Sequence, residues 1–372
     1  MLIGGPIEFD QSLLTSDHIT RPNELINFPK SNFAWMSSGR SSIALVLETF
    51  RNKISKGKIL IPDYRCWATD SVFDSFETKS FPINKQLKID FQSLEKLLLD
   101  KEIKAIFIID YFGINAIDKD LEFIKSKRPD ILIFLDAAQS FFNLFSSSDI
   151  HKDFDAIISS PRKFLPIPDG GLVIFPKQEL NTELLQKKET LNHQIPLFIS
   201  VGILRKARQN LTDQDTSIDL LESIYLKEYE SYKKLFNNKR NLISELSFEM
   251  LKKIDFPLLI SKRSLNLETI SNLFSQSAFK FIEPIFNSVI TPALIFPLRV
   301  GEGQRDSLLR FLRSKNIFCP VHWPLPDQKK IKVNDISVEL SNEILGLPID
   351  QRYDIDTMHY LFERLVEFNR IT

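Results

Sequence analysis

The sequence predicts an α/β protein built on a mostly parallel sheet with helices on both faces. Short, continuously apolar segments alternate with amphipathic segments across residues 37–175. Continuously apolar strands are typical of sheets that are buried on both faces, and their alternation with helices favours parallel pairing. The predicted strands are 58–61, 105–109, 131–135, 154–159 and 172–175.

Helices are predicted between these strands wherever apolar residues recur on one face. In residues 41–53, Ile43, Leu47 and Phe50 share one face of a helix. Residues 91–101 and 121–127 have the same amphipathic character.

The pattern changes after the last of these strands. Residues 178–246 are polar and helix-prone, with one long helix predicted at 220–235, and we interpret them as a helical connection. A second α/β pattern follows, with strands at 293–300 and 317–321 and helices at 305–315 and 358–367. We therefore expect an N-terminal arm and large domain with its helical connection at 1–246, and a small C-terminal domain at 247–372.

Composition excludes several classes of protein. The 372 residues include 48 basic and 48 acidic side chains, so no global basic field favours nucleic acid. Two cysteines exclude a disulfide framework or a CxxC zinc pattern and favour a reducing compartment. The N-terminal residues lack the pattern of a signal peptide, and the apolar runs are shorter than a membrane span. We expect a cytoplasmic protein that binds neither nucleic acid nor membrane.

An acid and an amine are the residues most suggestive of chemistry. Asp136 follows the apolar strand 131–135, and Lys163 lies in a loop before the strand 172–175. Pyridoxal 5'-phosphate (PLP) requires such a pair: a lysine to form a Schiff base and an acid to hold the pyridinium nitrogen. Gln139 lies near enough in sequence to reach the ring hydroxyl oxygen. Alone, Asp136 could equally be a helix cap, and Lys163 with Arg162 could be a solvated surface pair.

Two other segments are compatible with the same cofactor. Small residues around Ser38, Gly39 and Arg40 precede a helix, where free backbone N–H groups can bind an anion. Trp67 follows a predicted strand and could stack on a flat ring. The ordinary alternatives are a simple helix cap and a core tryptophan.

Taken in order, these segments resemble the DegT/DnrJ-type aminotransferases, which are PLP-dependent enzymes of fold type I acting on keto-sugar nucleotides. The matching stretches are Ser-Gly-Arg-Ser at 38–41, Ile-Pro-Asp-Tyr at 61–64, Tyr-Phe-Gly at 111–113, Leu-Asp-Ala-Ala-Gln at 135–139, Lys163 with Asp-Gly-Gly at 169–171, Pro-Val-His-Trp-Pro at 320–324 and Leu-Gly-Leu-Pro-Ile at 345–349. The resemblance implies a large domain with a mostly parallel, seven-stranded sheet and a smaller C-terminal α/β domain.

The resemblance also implies roles for individual residues. Lys163 would be the Schiff-base lysine and proton shuttle, with Asp136 on the pyridine nitrogen and Gln139 on the ring oxygen. The remaining implied cofactor contacts are Ser38, Gly39, Arg40 and Ser160 at the phosphate and Trp67 on the ring, with Cys66 as the alternative in a register shifted by one. His322 would face the substrate.

The implied reaction moves an amine from an amino acid, expected to be glutamate, to a keto sugar that is expected to be nucleotide-linked, in a homodimer. Two departures from the family pattern stand out. An aromatic-Asn-aromatic-Arg stretch is absent between Lys177 and Leu220, and Ser-Ser-Pro-Arg replaces Ser-Phe-His before Lys163. A PLP-dependent lyase or dehydratase, and a non-catalytic protein that binds sugar nucleotides, remain as alternatives.

Overall fold

The computed structural model describes residues 2–113, 117–145, 149–186, 194–209, 218–285, 292–324 and 334–372. The strands in these ranges are β1 (Ile3–Gly4), β2 (Phe33–Met36), β3 (Lys58–Pro62), β4 (Glu77–Phe81), β5 (Ile103–Ile109), β6 (Leu132–Asp136), β7 (Ala156–Ser159), β8 (Gly171–Ile174), β9 (Ile282–Pro284), β10 (Phe296–Val300), β11 (Ile317–Phe318) and β12 (Ile344–Leu347). The α-helices are α1 (Gly39–Thr49), α2 (Arg51–Ile54), α3 (Phe91–Leu98), α4 (Ile117–Lys127), α5 (Gln194–Gln209), α6 (Ile218–Lys234), α7 (Glu245–Leu251), α8 (Phe256–Ser275), α9 (Arg305–Ser314), α10 (Asp335–Glu343) and α11 (Ile355–Ile371).

A seven-stranded sheet forms the centre of the N-terminal part. Its order is β2-β8-β7-β6-β5-β3-β4. The five strands from β7 to β4 run parallel, whereas β8 is antiparallel to both of its neighbours. Because β2 is antiparallel to β8, it runs in the same direction as β7. The predicted α/β class with a mostly parallel sheet is confirmed.

Both faces of this sheet are buried, as the continuous apolar strands predict. Leu60, Ile106 and Ile133 point to the face covered by α3, α4 and α7. Phe107 and Phe134 point to the opposite face, covered by α1. Successive residues of a strand alternate between faces, so a strand buried on both sides must be apolar throughout. Burial of each such side chain stabilises the folded state by about 1.5–3 kcal/mol.

The C-terminal part has its own sheets and its own core. A three-stranded antiparallel sheet has the order β12-β10-β9, and β1 pairs in parallel with β11. The early part of α8 packs on the large sheet through Phe256, whereas Leu267 and Ile270 belong to the second core. Helix α8 therefore joins the two cores, and the division at 246/247 stays a prediction.

The carboxyl ends of β2, β3, β5, β6 and β7 lie along one edge of the large sheet, and β8 begins there. This arrangement follows from their shared direction. In open α/β sheets, ligands bind outside this edge. Within the described part of the chain, no helix has the length and apolar character needed to cross a bilayer.

Gly171 is where the start of β8 packs against the turn before α1. A Cβ atom at Gly171 would overlap the carbonyl group of Ser38. We expect Gly171→Ala to destabilise the fold by about 1–3 kcal/mol, because backbone and not a flexible side chain is in the way. Urea unfolding measures this change.

Gly301 provides the matched control for this substitution. A Cβ atom there meets no atom within 4 Å, so Gly301→Ala should be neutral or slightly stabilising. Equal stability of the Gly171 variant and the wild type would contradict the described packing.

The buried carboxyl group of Asp120 on α4 leads to a second prediction about stability. Burial, together with the charge of Asp110, raises the pKa of Asp120 to about 7. A group with a raised folded pKa binds its proton more tightly in the folded state, so it destabilises the fold as pH rises from about 4 through 7. Asp120→Asn should therefore raise the free energy of unfolding at pH 8 by on the order of 2 kcal/mol.

This gain should disappear below about pH 4, where Asp120 is protonated in both the folded and the unfolded wild type. The exposed Glu122 on the same helix supplies the control, since Glu122→Gln removes a carboxylate that is not buried and should not reproduce the gain of Asp120→Asn at pH 8. A gain for Asp120→Asn that is equal at pH 5 and pH 8 would contradict the raised pKa.

Candidate active site

Asp136 and Lys163 lie at the carboxyl ends of neighbouring parallel strands. Asp136 is the last residue of β6, and Lys163 ends a short 3₁₀ turn, Pro161–Lys163, that follows β7. The N–H of Lys163 donates to the carbonyl of Ser160 at 3.0 Å, which closes this turn. The topology thus brings together two residues that are 27 positions apart.

The two side chains are close enough to shift each other's ionisation. Burial raises the pKa of Asp136, and the charge of Lys163 opposes that shift. Burial likewise lowers the pKa of Lys163; Cys66 and Asp136 oppose this shift, and the charge of Arg162 adds to it. Each group therefore supports the charged form of the other, while the surroundings favour the neutral forms.

The carboxylate of Asp136 is held by the local backbone. One of its oxygens accepts a hydrogen bond from the N–H of Ala138 at 2.9 Å. Ala137 donates through its N–H to Ile158 at 2.7 Å, and its carbonyl accepts from the hydroxyl of Ser159 at 2.8 Å. These bonds fix the end of β6 against β7 and orient the carboxylate.

Gln139 has a donor that the described residues leave without a partner. The side chain is 2% exposed. Its Oε1 accepts from the N–H of Phe112 at 3.3 Å, whereas its Nε2 has no hydrogen-bond partner. Phe112 adopts a left-handed conformation with φ 58°, which is uncommon for a bulky residue. A buried amide N–H without a hydrogen-bond partner costs about 1–3 kcal/mol. A ligand oxygen that accepts a hydrogen bond from Nε2 would therefore stabilise this site.

The beginning of α1 offers a site for an anion. Ser38 is in an extended conformation, and its hydroxyl accepts from the N–H of Ser41 at 3.1 Å, which caps the helix. Gly39 faces Ser160, because a Cβ atom on Gly39 would lie 3.5 Å from the Cβ of Ser160. Burial and the charge of Arg162 lower the pKa of Arg40, while Cys66 opposes that shift. Free N–H groups and a guanidinium at a helix N-terminus suit a phosphate.

Cys66 and Trp67 differ in what they face. The Cys66 thiol is close enough to influence the pKa of both Lys163 and Arg40. The Trp67 ring instead lies under the guanidinium of Arg65, 4.3 Å from its centre. The structure brings Cys66 toward Lys163 and covers one face of Trp67 with arginine. The stacking role of Trp67 stays a prediction.

His322 reaches the same region from the C-terminal part of the chain. Burial, reinforced by the charge of Lys163, lowers the pKa of His322 to about 3, so the imidazole is neutral at physiological pH. Its ring packs edge-to-face on Phe112 with 5.2 Å between ring centres. His322 and Lys163 both line a cavity of about 420 Å³.

Three aromatic residues, to which the sequence analysis assigned no role, connect the segments after β3 and β5 with the segment that carries His322. The hydroxyl of Tyr64 donates to the carbonyl of His322, and the hydroxyl of Tyr111 donates to the carbonyl of Tyr64. The rings of Tyr64 and Trp323 lie 5.2 Å apart. All three residues occur in the matching stretches, but only their contacts across the fold reveal that they position His322.

Asp169 fastens the loop that carries Lys163. The side chain is 0% exposed, and its carboxylate accepts from the N–H of Ser244 at 3.0 Å and from the hydroxyls of Ser244 and Ser247. These serines belong to the start of α7, where Ser244 is the N-cap. The loop is therefore fixed at a point between Lys163 and β8.

Comparison with solved structures places this architecture among known folds. PseC of Helicobacter pylori, an aminotransferase involved in pseudoaminic acid biosynthesis, is similar with a TM-score of 0.67, 15% identity and complete coverage of both chains. The sugar aminotransferase CalS13 of Micromonospora echinospora gives a TM-score of 0.65 and 11% identity over 98% of this chain and 99% of that one. The GDP-4-keto-6-deoxymannose-3-dehydratase ColD gives a TM-score of 0.66 and 17% identity over 97% of this chain and 100% of that one.

The chain has the fold of the type I PLP-dependent transferases. Within that fold, it is structurally similar over nearly its whole length to sugar aminotransferases of the DegT/DnrJ type. No protein-family model and no curated protein matches the sequence. Likeness at such low identity establishes the fold alone.

Proposed function

We propose that this chain is a PLP-dependent aminotransferase that moves an amine from an amino acid, glutamate, to a keto sugar linked to a nucleotide. Such a product would serve the synthesis of a cell-surface polysaccharide or a related compound. The observation that carries the proposal is that Lys163 and Asp136 lie at the carboxyl ends of neighbouring strands, at the ligand-binding edge of the sheet, and each acts on the pKa of the other. We further propose that the enzyme works as a homodimer in the cytoplasm.

The residues of the site are compatible with PLP. The unpartnered Nε2 of Gln139 suits a ring oxygen, and the carboxylate of Asp136 suits a protonated ring nitrogen. Ser38, Gly39 and Arg40 would hold the phosphate at the start of α1, and Ser160 lies opposite Gly39. When bound, PLP supplies an electron sink for the negative charge that develops on the substrate carbon next to nitrogen.

Lys163 has the properties of a proton shuttle. Its lowered pKa increases the fraction of neutral amine, which can accept a proton from a substrate carbon and return it elsewhere. Asp136 has no such freedom, since its backbone contact holds it in place as an electrostatic partner. The neutral His322 adds no charge and can offer a hydrogen bond to a substrate hydroxyl.

The sugar substrate is supported by the activities of the similar structures, which include two aminotransferases and one sugar dehydratase. The dehydratase ColD supports a second candidate, loss of a sugar hydroxyl in place of transamination. Family resemblance associates a histidine at the lysine position with the dehydratases. Lys163 therefore favours transamination.

Loss of the Lys163 amine provides the first test. Lys163→Ala should abolish the covalent attachment of PLP, because Lys163 is the amine whose charge acts on Asp136. After borohydride reduction, peptide mass analysis should find a pyridoxyl adduct on Lys163 in the wild type. Lys177→Ala is the control, since Lys177 is exposed and ion-paired with Asp155. An unchanged adduct mass in Lys163→Ala would remove the proposal.

A half-reaction with glutamate separates the two candidate reactions. An aminotransferase should release one 2-oxoglutarate per chain in the absence of any sugar, measured by a coupled enzyme assay. Asp136→Asn should slow this release by about a hundredfold or more, because the electrostatic partner of the ring is lost. Dehydration of a keto sugar without any release of 2-oxoglutarate would favour the dehydratase.

A further inference from the structure

Helices α5 and α6 form a hairpin that is separate from the cores of the large sheet and of the C-terminal part. The two helices pack mainly on each other, and in the described part of the chain neither makes a comparable contact with another helix or strand. Phe198, Tyr232 and, just after α6, Phe236 form a small hydrophobic cluster of their own, and Phe9 of the N-terminal segment packs against it. Segments with few buried apolar contacts open at a lower free-energy cost than cores do.

The inner face of this hairpin is one wall of the cavity of about 420 Å³ that Lys163 lines. Four side chains of the hairpin contribute to this wall: Phe198, Val201, Tyr229 and Tyr232. The N-terminal residues 4–7 and residues 318–320 of the C-terminal part line the same cavity. A ligand that fills the cavity is therefore in contact with the hairpin.

Two contacts fasten α6 to the loop that carries Lys163. The hydroxyl of Tyr232 donates to the carbonyl of Pro168 at 2.5 Å. One turn further along the chain, the guanidinium carbon of Arg162 lies 4.0 Å from the centre of the Phe236 ring. Since Arg162 directly precedes Lys163, the hairpin is attached beside the amine.

Charged side chains fasten α5. Arg205 is 5% exposed, and its guanidinium pairs with the carboxylate of Glu8 and donates to the carbonyl of Gly4. Near the end of α5, Arg208 donates to the side-chain oxygen of Asn316 at 3.0 Å. These are single polar contacts, in contrast to the many apolar contacts that hold a core helix.

The neighbouring wall, residues 4–7, is fastened more firmly. Strand β1 pairs with β11, and the N–H of Gly5 donates to the carbonyl of Phe318 at 3.1 Å. The N–H of Gly4 donates to the hydroxyl of Tyr353 at 2.6 Å. Among the described residues, no backbone hydrogen bond joins α5 or α6 to the sheets. Of these two walls, the hairpin has the weaker attachment.

The aromatic face of α6 gives the closed arrangement a means of binding a ligand. The ring of Tyr229 lies between those of Tyr225 and Tyr232, with ring centres 6.1 and 6.3 Å away. Tyr229 and Tyr232 both line the cavity. A ligand that contacts these rings binds the closed arrangement better than an open one, so binding favours closure.

We propose that the α5–α6 hairpin is a lid on this cavity. The lid opens as a unit when Tyr232 leaves Pro168 and Arg205 leaves Glu8, and it closes with its aromatic face on the ligand. The inference does not depend on the proposed reaction, because any ligand that reaches Lys163 occupies the space under the hairpin.

The reactivity of Cys319 measures the opening, because Cys319 lines the cavity and is 7% exposed. Burial raises the pKa of its thiol to about 12, so the closed protein reacts slowly with a thiol reagent. The full chain is treated with N-ethylmaleimide at about pH 8, and peptide mass analysis follows Cys319 separately from Cys66. When closing is faster than the reaction, the labelling rate is proportional to the population of the open state.

Tyr232→Phe removes the hydroxyl that bonds Pro168 and keeps the ring. This variant should label Cys319 about three- to tenfold faster than the wild type, because the closed state has lost one hydrogen bond. Arg205→Met should speed labelling by about tenfold or more, since its lost contacts involve a charge.

Two variants are matched controls. Tyr353→Phe also removes the hydroxyl of a buried tyrosine, but one that bonds the N-terminal segment. Gly171→Ala destabilises the whole fold without touching the hairpin. Both should leave the labelling rate of Cys319 unchanged.

Wild-type labelling rates in both Tyr232→Phe and Arg205→Met overturn the lid; if one of these variants fails to fold, the other alone decides. Faster labelling in Tyr353→Phe alone assigns the movement to the N-terminal segment and also overturns it. Equal acceleration in Gly171→Ala shows that Cys319 reacts after global unfolding, with the same consequence. The measurement needs neither cofactor nor substrate, so a protein that attaches no PLP at Lys163 tests the lid equally well.

Discussion

The burial of two opposite charges at one edge of a sheet is the constraint on which the site depends. Burial raises the pKa of Asp136 and lowers the pKa of Lys163, so the surroundings disfavour the charged form of each group. Each limits the shift of the other. The parallel pairing of β6 with β7 sets their relative position, so the chemistry of the site is a direct result of sheet topology.

Several contacts keep the C-terminal part in place against this edge. Tyr64 and Tyr111 form a buried chain of hydrogen bonds to the backbone of His322. Arg352 pairs with Asp350, which lines the cavity, and with Glu8 of the N-terminal segment. Both parts of the chain therefore contribute walls to one cavity.

The sequence predicted those features that depend on local patterns. The strands β5 and β6 are mostly apolar because both faces of the sheet are covered, and this pattern is visible in the sequence itself. It did not predict β4, an edge strand whose residues are mostly polar, or β2, whose four residues are too few to show a period. The antiparallel direction of β8 also leaves no trace in its own residues.

The sequence likewise predicted those site residues that stand next to strands, and it did not predict contacts between distant segments. Asp136 and Lys163 stand next to strands, so their shared edge follows from general rules. The choice between Cys66 and Trp67 depends on where the guanidinium of Arg65 lies, and no sequence pattern gives that position.

A crystal structure of the protein with PLP tests the central claim most directly. The account predicts a ring between Lys163 and Asp136, joined to the lysine and hydrogen-bonded through its nitrogen to the carboxylate, with the phosphate at the start of α1. Density for the ring elsewhere, or packed side chains filling the space between the amine and the carboxylate, would contradict it.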